Sequence, residues 1–324
     1  MAAIVPAYGV AHLVGEALTS LQRQTFPDWE CVVIDDGAPD DVASAVAPFL
    51  GDPRIRFLAT CNQGVSAARN RAIAETTAPL IALLDGDDLF RPHYFATVVP
   101  ILESDADVRL VTGNARLFGA LTRERTCVER PHVAIGTLAD VLDRSFNVHI
   151  GSTFRRADFE AVGGFDQRMA QSEDFDFWVR IMMRAGTARF VNDVLGEYRV
   201  RPGSASANAG RMLLGNIRTY EKARAALPGD VAEIALLDRL LAESRSALAF
   251  EHAIDSIIDG DTQRGLEQLR TVRGQVGGFA WRAAFSVWSL FPRLARPMLR
   301  WRRRAHSRGA NGSVMFPSFL EREE

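Results

Sequence analysis

The chain has 324 residues, 24% of them charged, and a formal net charge of −2 at pH 7, so it can bury a core of one large domain or two smaller ones, and the whole implies no nucleic-acid partner. Cys31, Cys61 and Cys127 lie far apart without CxxC spacing, which points to a reducing compartment and argues against a cysteine zinc site. Met1 to Val5 has no basic start and runs straight into Pro6, and no stretch reaches the roughly 18 apolar residues of a membrane span, so a cytoplasmic protein is expected.

Ala2 to Val5 reads as a short strand, broken by Pro6-Ala7-Tyr8-Gly9. Leu13, Val14, Ala17, Leu18 and Leu21 recur at helical spacing and predict an amphipathic helix over 11–24. Trp29 to Ile34 is the next buried strand and ends in Asp35-Asp36-Gly37; a helix over 40–50 and the strand Ile55 to Leu58 follow. Asn62-Gln63-Gly64 leads into a helix over 66–76 that carries Arg69, Asn70 and Arg71. Leu80 to Leu84 is an unbroken apolar run of the kind buried on both faces of a sheet, and it stops abruptly at Asp85-Gly86-Asp87-Asp88. Two carboxylates one residue apart, with glycine between, can converge on a hard cation such as Mg²⁺ or Mn²⁺; Asp and Gly equally make a turn that caps the next helix.

Strand and helix alternate three times over this half, which predicts an α/β layer with a mostly parallel sheet. Loops at the carboxyl ends of parallel strands converge, so Pro6 to Tyr8, Asp35-Asp36 and Asp85 to Asp87 are expected along one crevice.

Beyond it come a helix over 93–103, a strand over Val108 to Gly113, an irregular polar stretch over 119–136, a strand over Gly151 to Arg156 and a short helix closed by Gly163-Gly164. Ser172 is a plausible N-cap for a helix with the apolar stripe Phe177, Trp178, Ile181 and Met182. Glu173 and Asp174 then sit at the positive end of a rigid element, where a carboxylate acts as a general base or only as a cap. Arg199 and Arg201 alternate along an extended segment before Pro202-Gly203-Ser204; arginines there can clamp phosphates or simply face water. Helices are predicted over 211–227, 231–258 and 262–273. Between Gly274 and Leu320 there is no acidic residue, while arginines accumulate among aromatics over 279–308. That composition suits a helix on an anionic membrane surface, or one packed on the protein with its arginines in water.

Taken together, the motifs over residues 1–205 resemble the family 2 glycosyltransferases, which are inverting, nucleotide-sugar dependent and have the type A fold. The resemblance implies a Rossmann-like, mostly parallel central sheet flanked by helices, with a helical C-terminal region added here. The implied division is a catalytic domain over 1–208, with a nucleotide-sugar half (1–112) and an acceptor half (113–208), followed by 209–324.

Ile4-Val5-Pro6-Ala7-Tyr8 looks like the family's first strand and nucleotide loop, and Glu30 to Gly37 like its second signature, in which Asp36 meets the base, usually uracil. Asn62-Gln63-Gly64 with Ala68-Arg69-Asn70 is similar to the third. Asp85-Gly86-Asp87 resembles the metal-binding DxD, with Asp85 nearer the ribose and Asp87 on Mn²⁺ or Mg²⁺. Gly163-Gly164-Phe165-Asp166 with Glu173-Asp174 resembles the acceptor-side signature, to which Trp178 is added, and Asp174 is the implied base. Gly9 stands where many members carry asparagine, and Arg201 where many carry histidine; arginine does not ligate a metal as imidazole does but can meet a diphosphate directly. The implied partners are a nucleoside-diphosphate sugar, probed first as a UDP-sugar, and a glycan or lipid-linked hydroxyl acceptor, in polysaccharide and cell-envelope biosynthesis. The implied location is cytoplasmic or peripheral on the inner membrane face. A sugar-nucleotide or glycan-binding, membrane-associated module without turnover is the competing reading.

Overall fold

Alternating buried strands and amphipathic helices build the first half of the computed structural model, which describes residues 1–121, 123–129, 133–146, 148, 151–201, 209–272 and 279–301, with the backbone alone at 279, 280 and 282. Strands β1 (Ala2–Ala7), β2 (Glu30–Asp36), β3 (Ile55–Thr60) and β4 (Leu80–Leu83) are all parallel, β1 pairing with both β2 and β4, and β2 with β3. Helices α1 (Ala11–Gln22), α2 (Val42–Val46) and α3 (Val65–Ala74) make the crossovers. Leu13, Val14, Ala17, Leu18 and Leu21 are all buried, as their spacing predicts. The helix expected over 40–50 is shorter: α2 tightens into a 3₁₀ turn over Ala47–Phe49, with Pro48 in its first turn. No side chain of its own caps α1; instead Asp40, from the loop after β2, accepts from Gly9 N at 3.0 Å and Ala11 N at 2.7 Å.

The other half adds β5 (Leu89–Phe90), α4 (Tyr94–Ser104), β6 (Val108–Gly119), β7 (Arg125–Thr126), β8 (Ile135–Gly136), α5 (Leu138–Leu142), β9 (Thr153–Arg155), α6 (Arg156–Ala161), α7 (Glu173–Met182) and β10 (Thr187–Val200). Among the described residues the sheet runs β3-β2-β1-β4-β9-β6-β10-β5, with β7 on β6 and β8 on β10. Strand β9 is antiparallel to both neighbours, while β6 and β10 run parallel, so parallel pairing covers most of the sheet.

Two expectations change here. Strands β7 and β8 lie inside the stretch read as irregular, and the extended segment read at Arg199 is the end of a long strand, β10, that begins at Thr187. Its pairing with β6 shifts register between Val191 and Val194 and again between Val194 and Gly196. Such irregularities reset the alternation of side chains, which hides a long strand from its own sequence.

The chain divides into two compact units, Met1–Gly119 with Glu124–Val200, and Ala120–Arg123 with Arg201–Glu324. In the second, α8 (Ala209–Ala226), α9 (Ala232–Asp259), α10 (Thr262–Val272) and α11 (Phe279–Leu290) are arranged with α10 turned back on α9. Gly260 makes that reversal at φ 117°, its amide and that of Asp261 donating to the last turn of α9. Phe250, Ile254 and Ile257 of α9 meet Leu266 and Leu269 of α10 in a core of their own. Among the described residues no helix is long and apolar enough to cross a membrane.

Candidate active site

The acidic turn follows β4. Asp88 N donates to Asp85 O at 2.9 Å, closing it, and Gly86 N reaches Pro6 O at 3.3 Å, fastening it to the first loop. A Cβ on Gly86 would sit 3.0 Å from both Pro6 O and a Val10 methyl, so any side chain there would have to push the first loop aside. Carboxylate oxygens of Asp85, Asp87 and Asp88 lie within 4.8 Å of one another. This is a hard oxygen donor set of the kind Mg²⁺ or Mn²⁺ takes, and the residues fit such an ion. Burial and the charges of Asp87 and Asp85 push the Asp88 carboxyl well above the usual carboxylate range.

Arg199 holds the turn from β10. Its backbone N–H donates to Asp88 Oδ1 at 2.7 Å, its Nε to Asp87 O at 2.8 Å, and its guanidinium pairs with Glu16 at 2.7 Å. Arg199 thus gives its backbone N–H, its Nε and one Nη to protein oxygens, from a position on β10.

Arg69 crosses from α3 to both acidic motifs. This buried guanidinium donates to Asp85 Oδ1 at 3.0 Å and to Glu173 Oε1 at 2.8 Å. Burial opposes its charge, but Asp85, Glu173 and Asp174 outweigh it, and the net shift is upward. Burial, then the charge of Asp174, raises the Glu173 carboxyl above its ordinary value, with Arg69 acting the other way.

The next residue, Asn70, accepts from Phe165 N at 2.8 Å and donates to Phe165 O at 2.8 Å, clamping the Gly163-Gly164-Phe165 turn. Gly164 has φ 74°, and a Cβ there would meet Asn70 Oδ1 at 2.8 Å. Two consecutive side chains of α3 thus tie the acidic turn to the segment that leads into α7.

At the start of α7, Ser172 holds the expected N-cap position, with a left-handed backbone at φ 54° and its carbonyl accepting from Asp176 N at 3.0 Å, but it makes no side-chain cap hydrogen bond. Asp174 Oδ1 instead accepts from Phe175 N at 2.7 Å. Phe165 and Trp178, expected on the acceptor side, are core side chains; Phe177 lies 4.1 Å from the Phe165 ring and 5.2 Å from that of Trp178. Their rings support the turn and α7 from beneath.

Asp36 is buried at the end of β2 and accepts from Gln63 N at 2.9 Å and Gly64 N at 2.8 Å. It therefore interlocks the second loop with the third, where Asn62 is exposed; Pro6 is half-buried and Tyr8 exposed. Arg201 follows β10 and belongs to the second unit. A small cleft beside the acidic turn is lined by Asp85, Asp88, Tyr94, Asn114 and Glu197 among others. Sequence reasoning quoted Asn70 without giving it a role and passed over Asn114 and Glu197. Asn70 stood next to Arg69 in a quoted motif, whereas no local signal marked the other two.

A mixed, mostly parallel sheet between helices, with carboxylates at the ends of its parallel strands, is the architecture of the type A glycosyltransferases. The model of the Glycosyl transferase family 2 matches residues 2–163, and the chain belongs to that family. Three of the curated relatives it matches, one from Sinorhizobium fredii and two from Rickettsia, are spanned by the chain over only 23%, 14% and 14% of their length. An Escherichia coli relative, the UDP-Glc:alpha-D-GlcNAc-diphosphoundecaprenol beta-1,3-glucosyltransferase WfgD, is 22% identical over 215 residues, which cover 63% of this chain and 79% of that one. Among solved structures, Staphylococcus aureus TarS 1-349 in complex with UDP-GlcNAc superposes with a TM-score of 0.63 at 18% identity, covering 97% of this chain and 89% of that one. The mannosyltransferase PcManGT of Pyrobaculum calidifontis, with GDP-Man and Mn²⁺, gives 0.60 at 20% identity, covering 99% and 87%.

Proposed function

We propose that the chain is an inverting transferase that moves a sugar from a nucleoside-diphosphate donor, UDP before GDP, to a hydroxyl of a glycan or lipid-linked acceptor in envelope polysaccharide assembly. The observation that carries this reading is the Arg69 guanidinium, joined at once to Asp85 of the acidic turn and to Glu173 beside Asp174. A donor's diphosphate end and a base for the acceptor are thereby held from one buried point. The printed UDP-GlcNAc of TarS and the UDP-Glc and diphosphoundecaprenol of WfgD support the choice of donor and acceptor class.

In this reading residues 1–112 bind the donor, 113–208 the acceptor, and 209–324 form an added helical region. Asp36 spends two acceptor positions on the amides of Gln63 and Gly64 and, as a carboxylate with about four, keeps capacity for a base N–H. Pro6, the exposed Tyr8 ring and Asn62 flank that position, and Asp85 lies toward the ribose. Asp87 would hold Mn²⁺ or Mg²⁺, which when bound neutralises charge on the departing diphosphate. Asp174, in the first turn of α7, takes the acceptor hydroxyl's proton as that oxygen attacks the anomeric carbon. A single displacement inverts that centre.

The test is a panel of UDP- and GDP-sugars assayed for transfer, with the anomeric outcome read by NMR. Asp174→Asn is expected to lower kcat by about 10²- to 10⁴-fold while donor affinity holds. Unchanged turnover overturns the base assignment, and full activity in EDTA overturns the metal assignment.

A further inference from the structure

The second unit carries a surface that donor chemistry does not explain. Helix α11 turns Phe285 and Trp288 inward, onto the core formed by Phe250, Ile254, Leu266 and Leu269. Its outer side and the residues after it leave Val287, Leu290, Phe291, Leu294, Met298 and Trp301 exposed, Leu290 by 76% and Trp301 by 73%. Twelve large apolar side chains are exposed among the described residues, and half of them fall within these 15 positions, so random scatter does not account for them. The two segments are joined: Ala295 and Leu299 are buried in the same core, and Trp288 Nε1 reaches Met298 Sδ at 3.4 Å.

Charge decides what such a surface fits. Arg293 and Arg300 are exposed among the apolar side chains. From Gly274 to Leu320 the sequence holds eight arginines and no acidic residue. A second copy of the same surface would set arginine against arginine, and a nucleic acid would leave Leu290, Phe291 and Met298 without apolar contact. An anionic lipid surface satisfies both features, since its acyl boundary takes leucine, phenylalanine and tryptophan while its headgroups take arginine.

We propose that residues 287–301 form a membrane-docking face that seats Leu290 and Phe291 in the acyl boundary of an anionic leaflet, with Arg293 and Arg300 at its phosphates. The face lies in the second unit and does not depend on the donor-site reading.

The test is co-sedimentation of the full chain with phosphatidylcholine vesicles, with and without phosphatidylglycerol. Binding is expected only with phosphatidylglycerol and should weaken with salt. Arg293→Gln and Arg300→Gln are each expected to lower the partition coefficient about five-fold. Leu290→Glu combined with Phe291→Glu is expected to lower it about ten-fold or more. These side chains are exposed, so the thermal unfolding curve should not move; if the double variant does not fold, the arginine variants carry the test. Equal binding to neutral vesicles, wild-type binding by the arginine variants, or a self-associating chain that ignores vesicles overturns the proposal. Isothermal titration with UDP and Mn²⁺ on the same samples separates the two readings: nucleotide binding without vesicle binding removes the docking face alone, and the converse removes the donor site alone.

Discussion

Arg69 donates to Asp85 and Glu173 from a buried position, and without it two carboxylates would face each other with no cation between them. Breaking a buried pair by removing one partner costs about 3–5 kcal/mol, so Arg69→Met should lower the unfolding free energy by that order, read from urea titration as a lower midpoint. Arg69→Lys should recover only part of it, because an ammonium cannot reproduce the two-armed geometry. Glu173 supplies a pH signature. Its carboxyl is raised in the fold by burial and by Asp174, so the folded chain holds this proton to higher pH than the unfolded chain does. Stability from this group is therefore present below the ordinary glutamate value of 4.5 and declines as pH rises from there through the raised value. Urea titrations across that window should show the decline in the wild type and a shallower one in Glu173→Gln.

At the scale of elements, the acidic turn is held from two sides, by the β1–α1 loop through Gly86 and by β10 through Arg199. Arg199→Lys keeps a cation near Glu16 but cannot place the same donors on Asp87 O, so the turn should loosen. Weaker binding of UDP with Mn²⁺, by about ten-fold for a loss near 1.4 kcal/mol, is the expected calorimetric result, with little change in the urea midpoint. The Gly163-Gly164 turn is similarly exacting. Gly164→Ala must accommodate both a positive φ and a contact at 2.8 Å with Asn70, which should cost about 1–3 kcal/mol and shift the start of α7, so turnover should fall together with stability.

At the scale of the molecule, the two units have separate cores, so unfolding need not be one transition. Gly265 is the sharpest probe of the helical unit: a Cβ there would lie 2.4 Å from an Ile257 side-chain carbon and 2.6 Å from Ala253 O. Gly265→Ala should destabilise that unit by about 1–3 kcal/mol through overpacking. Calorimetry should show one transition moving while UDP affinity stays in place; a joint loss would mean that the units unfold together.

Much of this was legible in the chain. The apolar runs at Ala2 to Val5, Trp29 to Ile34 and Leu80 to Leu84 identify strands because burial on both faces demands unbroken hydrophobicity, and the acids at their ends follow from where the runs stop. Helix α1 and the turn at Gly260 are equally local, set by side-chain period and by the need for a positive φ. Other features depend on residues far apart in sequence. Asp40 caps a helix some 30 positions away, Arg69 reaches Glu173 across 104, and Arg199 meets Asp87 across 112. A hydrogen bond needs atoms within about 3 Å, and no local pattern records which distant oxygen packing will deliver. The sequence by itself therefore determined the parallel strands of the first half, the acidic turn and the family of the fold. Only the tertiary structure decided that Arg69 and Arg199 serve carboxylates and carbonyls, and that Phe165 and Trp178 lie beneath the site.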